Sequence, residues 1–164
     1  MITKRLVLVL VFAWIGLTSV GARVFDTEQQ YVSQYGANLN KGVPAPPPHK
    51  LALYLKKQLK VLVLFDNLIS QGELICKPKS RLTEADVNGI LAANQGPSGW
   101  KKERVETTKN PKAPQMSLWS RNDGKLFAAY VSSPAPIPFL LIGTRSGGDF
   151  LMKQKDNLTS FVKE

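Results

Sequence analysis

Three patterns of apolar and polar positions follow one another along the chain. The first is an unbroken apolar run from Leu6 to Leu17, behind Lys4 and Arg5 and ahead of Thr18-Ser19-Val20-Gly21-Ala22. A positive start, a short apolar stretch and small residues two apart are the parts of a secretory signal, so residues 1–22 are expected to be a signal peptide cut before Arg23. The run is shorter than the roughly 20 residues needed to span a bilayer as a helix. An uncleaved N-terminal membrane anchor is the alternative, and no stretch after residue 22 is long and apolar enough to span. Residues 23–49 are polar and mixed, an arm with a short helix near Thr27 to Tyr35. They end in a spacer, Val43-Pro44-Ala45-Pro46-Pro47-Pro48, kept extended because proline fixes φ and excludes the preceding residue from helix.

Residues 50–164 are expected to form a single domain. From Lys50 to Gln71 the period is helical: at 100° per residue Leu51, Tyr54, Leu55, Leu59, Leu62, Phe65 and Ile69 share one face, and Lys56, Lys57, Lys60, Asn67 and Gln71 gather opposite. Within it, Val61-Leu62-Val63-Leu64-Phe65 is β-prone and could be a strand on its own. Thr83-Glu84-Ala85-Asp86 is a capping-box start for a second helix reaching about Asn94. Beyond Trp100 the runs shorten. Strands are expected over Lys101–Lys109, Met116–Ser120 and Lys125–Val131, the last two joined across Asp123-Gly124, a strong hairpin signal. Phe139–Gly143 reads as a central strand. Ser146-Gly147-Gly148-Asp149 then turns the chain into a strand at Phe150–Lys153, and a short helix over Asn157–Lys163 closes the domain. The fold class is therefore α+β: two N-terminal helices, an antiparallel sheet of three to five strands and a short C-terminal helix.

Composition narrows the function. With 43% hydrophobic and 21% charged residues the chain can fold around a core. Lys and Arg outnumber Asp and Glu by 22 to 12, and by 20 to 12 once Lys4 and Arg5 are set aside. That excess suits either an unknown protein partner or an anionic surface of lipid or polymer. Two places could meet an anion: the basic helix face with Lys50, Lys56, Lys57 and Lys60, and the glycine-rich turn Gly143–Asp149 with Arg145. Nucleic acid is disfavoured by export and by the lack of RNP, zinc-finger or helix-turn-helix patterns.

One cysteine and one histidine leave no disulfide framework and no multi-imidazole metal site, and no cofactor motif is present. Cys76 is expected to pack as a small hydrophobe, although Cys76 with His49 is the one thiol–imidazole pair on offer. The sequence points away from an enzyme and towards a small exported, non-catalytic binding or interaction module. An envelope-associated protein holding anionic lipid or polymer through the basic helix is the second expectation, and an exported enzyme the third.

Overall fold

Between His49 and Cys76 the chain doubles back twice. The computed structural model describes residues 23–39, 45–106, 115–132 and 137–154. In it the segment expected to be a helix from Lys50 to Gln71 is an antiparallel meander of β1 (His49–Lys56), β2 (Leu59–Asp66) and β3 (Ile69–Cys76). The reason lies in β2, where Val61, Leu62, Val63, Leu64 and Phe65 are all buried, none more than 3% exposed. A helix with one covered stripe would leave part of that run in water, whereas a strand covered on both faces buries all of it. Lys57-Gln58 and Asn67-Leu68 make the two turns. Asn67 and Leu68 both have positive φ, 48° and 70°, the backbone that a type I′ hairpin requires at its two central residues.

The remaining elements are α1 (Glu28–Tyr35), α2 (Glu84–Ala93), β4 (Trp100–Glu106), β5 (Met116–Arg121), β6 (Phe127–Val131), β7 (Phe139–Gly143) and α3 (Arg145–Lys153). All seven strands form one antiparallel sheet in the order β1-β2-β3-β7-β6-β5-β4. The α+β class stands, but two N-terminal helices followed by three to five strands is corrected, among the described residues, to an eight-residue helix beginning at Glu28, seven strands and two further helices. Asp123-Gly124 does turn β5 into β6, and β7 is central. The expected strand at Phe150–Lys153 is the end of α3 instead. The helix expected over 157–163 lies outside the described residues, as does the segment 1–22.

Helices α1 and α2 lie on one face of the sheet. Tyr31 and Tyr35 of α1 and Val87, Ile90 and Leu91 of α2 pack with Ala52, Val63, Phe65, Ile75, Leu140 and Ile142. Leu151 of α3 packs on the other face with Leu51, Leu64, Leu74 and Leu141. Each of the first two helices opens with a complete capping box, Thr27 with Gln30 and Thr83 with Asp86, so orphan amides are satisfied by side chains three residues away. Two polar anchors fix the region of α2: the Trp100 indole donates to the Leu91 carbonyl at 2.7 Å, and the Tyr130 hydroxyl to Leu82 at 3.0 Å. Helix followed by meander thus occurs twice in the backbone, although no repeat is legible in the residues.

The two outer strands are treated differently. At β1, Leu39 N–H donates to the Leu53 carbonyl at 2.8 Å, and the Asn38 side chain accepts from Leu53 N–H at 3.1 Å. At β4 the register shifts between Lys102 and Arg104, leaving Glu103 as a bulge bonded to Ser120 and Lys101. Bulges and lysines are devices that blunt a sheet edge.

The Asn67-Leu68 turn gives a test of meander against helix. Leu68 is 71% exposed and has a left-handed backbone, so Leu68→Gly removes steric strain without losing burial. A stability gain of about 1 kcal/mol is expected in urea unfolding. Were residues 50–71 helical, the same change would cost about 1 kcal/mol, so the sign of the difference is decisive.

Candidate functional site

The four lysines expected to share a helix face are separated by the meander. Lys50 begins β1 and is paired with Glu28 of α1 at 2.6 Å. Lys56 ends the same strand six residues on, roughly 20 Å away at strand spacing. Its ammonium lies 5.5 Å from the centre of the Tyr35 ring, on the α1 side of the sheet. Lys57 is in the turn. Lys60 is paired in register with Leu55 and Cys76 and so projects from the opposite face to Lys56. The expected basic amphipathic helix is replaced by the meander, which does not gather the four lysines on one face.

Arg145 has a different setting. The glycine-rich segment around it is the start of α3, where the Thr144 hydroxyl accepts from Gly147 N–H at 3.1 Å. The two glycines are there for contact. A Cβ on Gly147 would overlap the Gln71 carbonyl, and one on Gly148 would overlap the Phe127 ring, so only this pair lets the first turn of α3 lie against β3 and β6. That placement sets Arg145 and Asp149 on the wall of a cleft of about 630 Å³, completed by Lys125, Ser120, Leu126 and Phe127. Among the described residues Arg145 and Asp149, one helical turn apart, form no ion pair. Arg145 also stands at the positive end of the helix dipole, with no acidic residue in the first turn to offset it. Lys125 adds a second cation from the β5–β6 loop. The nearby Asp123 is already held by the fork of Arg121 at 2.7 and 2.9 Å, which draws its carboxyl below the ordinary range.

One strongly perturbed buried group was not picked out from sequence. Glu73 on β3 is fully buried beneath α1, among Tyr31, Tyr35, Tyr54 and Phe65. The Tyr31 hydroxyl donates to its Oε1, while Oε2 has no hydrogen-bond partner. Burial pushes the carboxyl up to about 8; the Tyr31 bond works against this and the Asp26 charge adds to it. The Tyr31 phenol is in turn raised well above its ordinary value, first by burial and then by Glu73. Sequence reasoning missed Glu73 because a helix ending at Gln71 placed it in a loop. Strand alternation puts it between Ser70 and Ile75 on the inner face.

The other reactive groups are apart or occupied. Cys76 is 3% exposed and burial pushes its thiol up to about 11, away from the thiolate form that a nucleophile needs. His49 pairs in register with Asp66, and Cys76 with Lys60, so the thiol and the imidazole lie at opposite ends of the strands. His49 instead has its Nδ1 4.0 Å from Asp66 and its ring 5.1 Å from Phe150. Asp86 is committed to the cap of α2: burial alone would raise it, but bonds from Lys77 at 2.7 Å and from Thr83 hold it below its ordinary value. No cluster of three or more His, Cys, Asp or Glu able to hold a metal occurs among the described residues, and none of their helices is long and apolar enough to cross a membrane.

No family model matches the sequence, nor does any curated protein. Among solved structures the chain is similar to a cysteine-rich secretory protein from Staphylococcus aureus subsp. aureus Mu50, with 11% identity and a TM-score of 0.45. The match covers 75% of this chain and 45% of that one, so the chain spans less than half the length of the staphylococcal protein. A likeness this loose does not define a common fold.

The Glu73 carboxyl gives a pH prediction. Its folded value lies above the ordinary 4.5, so its contribution to stability is fully present below about 4.5 and is lost as pH rises through about 8. At about 1.4 kcal/mol per pH unit the interval corresponds to roughly 5 kcal/mol. Glu73→Gln keeps the shape without the titration. Its unfolding free energy should fall less between pH 5 and pH 8.5 than that of the parent chain, and parallel curves would show that Glu73 does not titrate in the folded protein.

Proposed function

We propose that the mature chain is a small exported, non-catalytic binding module, and that it receives a small anionic group in the cleft between α3 and the β5–β6 loop. The observation carrying this is the arrangement of charge. Arg145 and Lys125 line a ligand-sized cleft together with Asp149, and among the described residues no carboxylate is paired to Arg145, while the groups that could do chemistry elsewhere are buried or committed. Pockets of roughly 300 to 1,000 Å³ with a few convergent polar groups are the usual form of small-molecule sites. A guanidinium at a helix N-terminus suits a phosphate or carboxylate, since both the fork and the dipole favour negative charge. The Phe127 ring offers an apolar floor. Export is supported by the signal-like pattern of residues 1–22, which places the mature start at or near Arg23.

Titration of inorganic phosphate, sulfate and citrate into the isotope-labelled mature chain tests the cleft. Amide shifts are expected at residues 124–127 and 144–149, and Arg145→Glu should weaken binding by about tenfold or more, the scale of a lost charge-assisted bond. Both side chains are exposed, so Arg145→Glu and Lys125→Glu should leave the fold unchanged. If no anion shifts these amides at low salt, or if Arg145→Glu binds as well as the parent, the cleft is not an anion site.

A further inference from the structure

We infer that cutting the chain before Arg23 does more than release it: the α-ammonium left on Arg23 docks on the Asp26 carboxylate and fastens α1 to the sheet. This rests on the export proposed above. Arg23 N–H donates to Asp26 Oδ2 at 2.9 Å, and the Arg23 carbonyl accepts from the Ser70 hydroxyl at 3.3 Å, with the Tyr31 hydroxyl oxygen 3.2 Å away. Val24 is 4% exposed, with its N–H on the buried Asn94 side chain at 2.8 Å. Phe25 N–H donates to the Ser70 carbonyl, and Ser70 N–H returns the bond to Asp26, both at 3.0 Å. Thr27 then caps α1. Residues 23 to 27 are all bound to β3, α1 or the end of α2, and the signal-like pattern expects the first of them, Arg23, to carry the new terminus.

At that position the chemistry of processing changes the contact. Hydrolysis of the Ala22–Arg23 amide by a signal-peptidase-class enzyme consumes one water. The C–N bond breaks, Ala22 leaves as a carboxylate, and the Arg23 nitrogen, taking up protons, becomes an ammonium. A neutral amide donor at 2.9 Å from a carboxylate becomes a cation at that distance, which adds a direct attraction between opposite charges to a bond whose acceptor was already ionised. The other titratable and charged groups facing this point are Tyr31 on α1, Glu73 on β3, Arg121 on β5 and the guanidinium of Arg23 itself. Arg121 sits over the Phe25 ring at 6.0 Å and is occupied with Asp123. Asp26 is also a charge that pushes the Glu73 carboxyl up, so an ammonium beside it eases the buried carboxyl beneath α1. An amine that gains a partner has its folded value raised above the usual α-amino value near 8. The stabilisation is therefore complete below about pH 8 and lost as pH rises through the folded value.

Two measurements keep the latch and the export apart. N-terminal mass spectrometry of the exported protein should give a chain beginning at Arg23; a different start overturns the latch alone, whereas recovery of full-length chain only in membranes overturns both the export and the latch. Independently, a recombinant chain beginning at Arg23 is compared with one extended by Gly21-Ala22, which keeps the Arg23 nitrogen an amide. At pH 6.5 the free-amine chain should melt roughly 3 °C higher, as expected for one added charged bond in a domain of this size. The gap should close above pH 9 and be absent when both chains carry Asp26→Asn. Asn keeps the acceptor oxygen, so loss of the gap reports charge and not a broken turn. Equal melting at pH 6.5, or a gap that survives Asp26→Asn, overturns the latch while leaving export standing.

Discussion

The antiparallel pairing of β3 with β7 is the joint on which the two halves of the molecule depend. Residues Gly72 to Cys76 run against Phe139 to Gly143, and this ladder joins the first meander to the strands that follow α2. Its side chains reach both cores: Ile75, Leu140 and Ile142 meet α1 and α2, while Leu74 and Leu141 meet α3. Pairing between residues some 70 positions apart closes a long loop, whose entropic cost must be offset by the apolar area that the ladder buries. Gly143, Gly147 and Gly148 crowd the same junction, so the ladder, the β3 irregularity near Gln71 and the docking of α3 form one steric unit.

Close by lies the costliest polar group of the interior. A carboxyl with one oxygen bonded to Tyr31 and the other without a partner is tolerated because it can keep its proton, and a neutral acid can itself donate within the small set of Tyr31, Ser70 and the Arg23 carbonyl. Burial without a countercharge would otherwise cost several kcal/mol. The short helix α1 is thus held by stacked tyrosines around a group that prefers neutrality.

What could be read in the sequence was what is local. The cap at Thr83, the Asp123-Gly124 hairpin and the central strand at Phe139–Gly143 are each decided within a few residues, and each is found. The meander was hidden for two physical reasons. Covering on both faces turned alternation into near-continuous apolar runs, which fit a helical stripe as well as a strand. Its turns, Lys57-Gln58 and Asn67-Leu68, carry no glycine or proline to announce them. The pair Gly147-Gly148 was misread for the opposite reason: it looks like a turn, but the demand for small residues comes from Gln71 and Phe127, distant in sequence. Arg145 could be found from its glycine-rich surroundings, although its setting changed from hairpin to helix start. Glu73 could not, because only the strand register shows that it points inward.

The outer strands of the sheet carry a consequence for how anything else could join this molecule. Along β1 the Leu53 backbone groups are already taken by Asn38 and Leu39, and along β4 the Glu103 bulge and neighbouring lysines break the regular spacing that an incoming strand would need. Both devices oppose lengthening of the sheet by backbone borrowed from a neighbour.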